Sequence, residues 1–151
     1  RKDKSSHQFS SQLKTVSTTG SYICLYMGLN QSSSGLKLGN TNLWIYPGYD
    51  HDQNVADYMN DPNGKFPVVY VSFPSAKDPA WEKNHPGSAT MEAITLAHWD
   101  EYRTWEKKPW KNRGKSYENR KESVSNKLLD VVYTHVPQAK EAMDYYELST
   151  P

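Results

Sequence analysis

The chain has 151 residues and a mass of 17.3 kDa, which is the size of one domain. Its 18 Lys and Arg against 17 Asp and Glu leave a formal charge of +1, which argues against a basic nucleic-acid arm or an acidic tail. Cys24 is the only cysteine, so an internal disulfide and a cysteine-based zinc site are excluded.

The first 20 residues are polar and rich in hydroxyl groups, and they form either a polar segment or a short helix. Their apolar residues with helical spacing are Phe9, Leu13 and Val16. Residues 22–29 alternate with period two, and both of their faces are apolar enough to be covered, which predicts a strand. A second, shorter strand over residues 43–46 ends at the turn dipeptide Pro47-Gly48.

A short helix follows this turn. Asp50 or Asp52 caps it, and it reaches about Met59, with Val55 and Met59 on its buried side. An apolar, β-branched run over residues 68–73 predicts a central strand.

Residues 74–88 contain three prolines and predict an irregular loop. Another strand is expected over residues 90–97, with Met91, Ala93, Thr95 and Ala97 on one face.

Helical patterns dominate the last third of the chain. Three aromatic residues at one-sided helical spacing predict two helical turns before Pro109. These are Trp99, Tyr102 and Trp105. The strongest helix has Ser116 as its expected N-cap and ends before Pro137. Its apolar stripe comprises Tyr117, Val124, Leu128, Val131, Val132 and His135, and we expect this histidine to be partly buried. A further helical turn leads to a last strand over residues 145–148.

The short links between strands predict an α+β fold: a mostly antiparallel sheet of about five strands with helices packed on one face. The sequence contains no Gly-x-Gly-x-x-Gly motif, no P-loop and no nucleophile elbow. Their absence argues against most classes of self-contained enzyme. No apolar run has the length of a membrane span, and no signal peptide is recognisable.

Two clusters suggest other chemistry. The tripeptide Asp50-His51-Asp52 offers metal ligands, although a polar turn whose aspartate caps the next helix fits it better. Residues 105–115 combine Trp105 and Trp110 with five Lys and Arg, a mixture that suits single-stranded RNA or an anionic lipid surface. A solvated loop anchored by its tryptophans is the simpler interpretation, and the neutral overall charge weakens the RNA alternative further.

The run Phe73-Pro74-Ser75-Ala76-Lys77-Asp78-Pro79 leaves a strand with polar side chains at its tip, where ligand sites are often found. The residue types alone favour a rigid turn in which Ser75 and Asp78 bond their own backbone.

Six blocks of the sequence carry a specific resemblance. They are SYICLYMGL (21–29), NLWIYPGYD (42–50), FPVVYVSFPSAKDP (66–79), HPGSATMEAITLA (85–97), PWKNRGKSYENRKE (109–122) and HVPQAKEAMDYYELSTP (135–151). In this order they resemble an internal piece of the flavoprotein family of phytoene desaturases, carotenoid isomerases and all-trans-retinol saturases.

This resemblance implies that residues 21–151 are the substrate-binding domain of a larger FAD-dependent oxidoreductase, and that the parts holding FAD lie outside the piece. FAD is then expected in the parent protein and not in this chain, which should be inactive alone. The implied partners are an apolar polyene and the FAD-binding domain of the same polypeptide. Peripheral membrane contact is left open, and no nucleic acid is expected. The parent is expected in the cytoplasm or at a membrane surface.

The implied substrate wall is a sheet face with Tyr22, Tyr26, Tyr70 and Phe73, with Ser75 and Lys77 at the neighbouring turn. No residue is assigned a catalytic role. Whether the parent desaturates, saturates or isomerises its substrate is left open.

Overall fold

An antiparallel sheet of five strands organises the protein. The computed structural model describes residues 4–16, 20–109 and 111–151, and for residues 4–8 it describes the backbone alone. The strands are β1 (Ser21–Leu29), β2 (Leu43–Ile45), β3 (Val69–Ser72), β4 (Ala89–Ala97) and β5 (Met143–Ser149).

The helices in the described part of the chain range from one turn to six. They are α1 (Lys4–Leu13), α2 (His51–Asn60), α3 (Pro74–Lys77), α4 (Trp81–Asn84), α5 (Trp99–Tyr102), α6 (Lys115–His135) and α7 (Ala139–Ala142), and a 3₁₀ turn, Arg103–Trp105, extends α5. None of these helices is both long and apolar enough to cross a bilayer.

The strand order across the sheet is β2-β3-β4-β1-β5, and every neighbouring pair is antiparallel. β4 is therefore the central strand, whereas β3, which was expected to be central, lies between the edge strand β2 and β4. The α+β class and the mostly antiparallel sheet with helices on one face are confirmed.

The hydrophobic core lies between one face of the sheet and the long helix α6. On the sheet side, alternate residues of β1 and β4 are buried: Ile23, Leu25, Met27 and Leu29, and Ala89, Met91, Ala93, Thr95 and Ala97. The helix contributes Val124, Leu128 and Val132, which recur with helical spacing and so form one buried stripe. We call this side of the sheet the core face.

Three local predictions from the helical patterns are wrong. Val55 and Met59 of α2 are exposed, and Tyr58 is the residue that α2 buries, because its longer side chain reaches the core. His135 is exposed rather than partly buried. Ser116 lies inside α6, which begins after Gly114, and the φ of +93° at Gly114 suits a residue without a side chain.

The expected loop over residues 74–88 contains the one-turn helices α3 and α4. Pro74 takes the first position of α3, where a proline costs no hydrogen bond. The side chain of Asp78 accepts a hydrogen bond from the Ala80 N–H at 2.8 Å, which confirms the turn expected at Asp78. The expectation that Ser75 also bonds its own backbone is wrong, because its hydroxyl bonds the backbone of Thr90.

Candidate functional site

The face of the sheet opposite the core carries large side chains that stay exposed or half-buried within the described part of the chain. In β1, Leu25 is 0% exposed on the core face, whereas the exposed fractions of Tyr22 and Tyr26 are 60% and 47%. The expectation that both faces of this strand are covered is therefore wrong. We call this side of the sheet the open face.

Strand pairing places the open-face side chains in rows across the sheet. Trp44 of β2 pairs with Tyr70 of β3, Tyr70 pairs with Ile94 of β4, and Ile94 pairs with Cys24 of β1. The rings of Trp44 and Tyr70 meet edge to face, with centroids 4.7 Å apart. The row continues to Ser149 of β5, so it crosses four strand spacings, or about 19 Å.

One further row lies on each side of it, and one of these two rows is apolar while the other is acidic. Tyr22 pairs with Leu96, next to the first row, while Tyr26 lies between Glu92 and Glu147 on the neighbouring strands. Burial raises the pKa of the Cys24 thiol, and the charge of Glu92 adds to this effect. Cys24 is therefore a neutral, weakly polar part of the surface at ordinary pH.

The structure brings three of the six predicted site residues together and separates the others. Tyr22, Tyr26 and Tyr70 share the open face. Phe73 does not: it follows the last residue of β3 and is 4% exposed, with its ring in the core. Its assignment to the wall is corrected on this ground: Phe73 stands three positions from Tyr70, and period-two alternation places residues an odd number of positions apart on opposite faces.

Ser75 and Lys77 are held by polar contacts at the end of β3. The buried Ser75 hydroxyl accepts a hydrogen bond from the Thr90 N–H at 2.8 Å, donates to the Thr90 carbonyl and bonds the Ser33 hydroxyl. It thereby continues the pairing with β4 beyond Ser72. Lys77 donates to the Ser72 hydroxyl at 3.0 Å and to the side chain of Asn42. Direct contact of either residue with a substrate stays a prediction.

The sequence patterns did not single out four further residues on the open face: Trp44, Ile94, Leu96 and Tyr145. Trp44 and Tyr145 are 62% and 59% exposed. Alternation within β2 and β4 was a usable signal for the first three, since each stands one position from a core residue. Whether they lie beside Tyr22 and Tyr70 depends on the order of the strands in the sheet, and alternation within one strand does not reveal that order.

The two alternative sites have structural explanations. Asp50 caps α2 by accepting a hydrogen bond from the Gln53 N–H at 3.0 Å, and His51 stacks on Tyr46 with centroids 4.2 Å apart. Across the described ranges no group of three potential ligands could hold a metal ion. Trp105 packs edge to face on Tyr117 and donates to the Ser116 hydroxyl, so its ring is engaged, while Trp110 lies outside the described residues.

The described residues do not fit the diphosphate of a flavin dinucleotide. Such a group binds where a glycine-rich turn leads from a strand into the free N-terminus of a helix. The Pro47-Gly48 turn does lead from β2 to α2, but the Asp50 carboxylate occupies that helix end and would repel a diphosphate. The open face instead suits an elongated, uncharged molecule, which it could bind, orient and shield from water.

Comparison with known proteins identifies relatives of one kind. No protein-family model matches the chain. Over 144 residues, or 93% of its length, the chain is 29% identical to an all-trans-retinol 13,14-reductase of Danio rerio. It is 30% identical over 148 residues to a second Danio rerio protein, named inactive all-trans-retinol 13,14-reductase, and 28% identical over 144 residues to the all-trans-retinol 13,14-reductase of Homo sapiens.

These matches confirm the resemblance: over nearly its whole length the chain is similar to all-trans-retinol 13,14-reductases. It spans about a quarter of the length of the curated relatives it matches, 24% in each of these three cases. One relative is named inactive, so similarity over this region does not by itself carry an activity.

Proposed function

We propose that this chain is the substrate-binding domain of an FAD-dependent oxidoreductase acting on retinoid- or carotenoid-like polyenes. The observation that carries the proposal is the open face, with its row of exposed or half-buried apolar side chains across the sheet. A monomeric domain rarely leaves such a surface uncovered unless it binds something there.

The chemistry of the open face matches that of a polyene. A polyene is long and apolar and carries no charge, so a site for it needs apolar area and shape rather than ion pairs. Trp44, Tyr70 and Ile94 supply this area along one row. Flavin chemistry is the transfer of hydride or electrons, and the role of these residues is to orient the polyene and exclude water from it.

A binding experiment with all-trans-retinol tests the site on the chain as it exists. Energy transfer from tryptophan to the bound polyene reports binding, because Trp44 lies on the open face. We expect Tyr70→Ala to weaken retinol binding about tenfold, since truncating a central aromatic side chain in an interface costs about 1–2 kcal/mol.

Tyr49→Ala is the matched control, because Tyr49 is fully exposed in the loop after β2 and lies outside the sheet. This variant should bind retinol as the unmodified chain does. Equal losses in the two variants, or no retinol binding by the unmodified chain, would contradict the proposed polyene site.

The flavin part of the proposal has a separate test. The complete reading frame of the gene should encode a Gly-x-Gly-x-x-Gly motif between a strand and a helix, outside the 151 residues described above. The complete protein should bind FAD, and the 151-residue chain should not.

A further inference from the structure

A second concave site lies on the other side of the sheet, away from the open face. It is a groove of about 530 Å³ between the edge strand β2, the start of β3 and the C-terminal half of α6. Its apolar lining includes Ile45, Phe66, Val69 and Val131. The volume falls within the range of about 300–1,000 Å³ that is usual for small-molecule sites.

A half-buried cation stands at this groove. The ammonium of Lys127 lies 4.2 Å above the centre of the Phe66 ring and donates to the backbone carbonyls of Asn63 and Gly64. Both acceptors are neutral, and within the described ranges no carboxylate forms a salt bridge with Lys127. Burial lowers the pKa of Lys127 and Arg120 adds to this effect, while the nearby carboxylates of Asp61 and Glu101 oppose it.

The rim of the groove carries a small net positive charge. Lys65 and His135 line it with exposed side chains, and Asp130 is the one acidic residue among the lining residues. Two lysines against one aspartate leave an excess of about one positive charge. An apolar floor with one surplus cation at its edge is complementary to an amphipathic monoanion.

We propose that this groove binds a long-chain carboxylate of the fatty-acid class, with its carboxylate on Lys127 and its chain along Phe66, Val69 and Val131. This ligand differs from the polyene of the open face in charge and in location. The proposal does not depend on the function proposed above.

Titration of the full chain with oleate below its micelle concentration, followed by calorimetry, tests this site. Lys127→Met removes the charge and keeps an apolar chain of similar length over Phe66. We expect it to weaken oleate binding at least tenfold and to leave the weaker binding of oleyl alcohol unchanged. Lys140→Met is the matched control, since Lys140 is exposed near Tyr133 and does not line the groove.

Two further measurements test the location of the ligand without the Lys127→Met variant. Methyl NMR signals of Val131 in the unmodified chain should shift with oleate, which locates the ligand even if Lys127→Met fails to fold. Tyr22→Ala, on the open face, should leave oleate affinity unchanged. Equal affinity for oleate and oleyl alcohol, absence of a Val131 shift, or binding only to anionic vesicles would overturn the proposal.

Discussion

Two buried tyrosines differ in whether their hydroxyl groups are hydrogen-bonded. Tyr58 and Tyr102 are each 2% exposed. The Tyr58 hydroxyl donates to the Leu96 carbonyl at 3.0 Å, whereas that of Tyr102 has no hydrogen-bond partner in the described part of the chain. A buried polar group is favourable only when it is paired, so the two hydroxyls should contribute differently to the free energy of unfolding.

Urea unfolding of the two phenylalanine variants measures this difference. Tyr58→Phe should lower the free energy of unfolding by about 1 kcal/mol, because the Leu96 carbonyl loses its donor. Tyr102→Phe removes an unpaired hydroxyl and should be neutral or stabilising. Similar losses in both variants would show that the Tyr102 hydroxyl is paired after all.

The same tyrosines make the stability of the fold depend on alkaline pH. Desolvation by burial raises the pKa of each from 10.0 to about 12. A raised pKa in the folded state stabilises the protein below pH 10, and this contribution is lost as the pH rises towards 12. Each phenylalanine variant should therefore show a shallower fall in stability over this interval, when its urea midpoint is compared at pH 9 and pH 11.

At the scale of secondary-structure elements, the N-terminus of α2 is stabilised by one carboxylate. Asp50 accepts a hydrogen bond from the Gln53 N–H at 3.0 Å and adds a negative charge at the positive end of the helix. Asp50→Ala should lower the free energy of unfolding by about 1 kcal/mol. Chemical denaturation followed by circular dichroism measures this loss.

Asp52→Ala is the control for this cap, since Asp52 is an exposed acid in the first turn of the same helix. Its loss should cost no more than a few tenths of a kcal/mol. A larger cost for Asp52 than for Asp50 would contradict the assignment of the cap.

Elements could be predicted from the sequence where the signal is local. Alternation located β1 and β4, and the prolines at 109 and 137 limited the helices on either side. Ser116 shows where local rules fail. Its residue type suits a cap, but its hydroxyl accepts a hydrogen bond from Trp105, which only the folded chain brings near.

The open face could be predicted only in part, for the same reason. Tyr22 and Tyr26 follow from alternation within β1. Trp44 reaches the row of Cys24 only through β3 and β4, and no pattern within β2 reports that strand order. Phe73 was misplaced because an odd number of positions separates it from Tyr70, so alternation itself puts its ring on the core face with Val69 and Val71.

At the scale of the whole molecule, the two faces of the sheet differ in the substitutions that they tolerate. The core face excludes water under α6, so a charge placed there has no partner. The open face exposes apolar area that copies of the chain could share, so we expect association that increases with protein concentration. Adjacent residues of β1 allow the same substitution to be compared on both faces.

Tyr26→Lys should keep the free energy of unfolding within about 0.5 kcal/mol, because cross-strand pairs of opposite charge with Glu92 and Glu147 are favourable. It should also reduce association measured by sedimentation, since it replaces apolar area with charge. Leu25→Lys, one residue away and 0% exposed, should abolish cooperative folding. Equal melting temperatures for the two variants would mean that β1 is covered on both faces, and the open face would then be unavailable to a polyene.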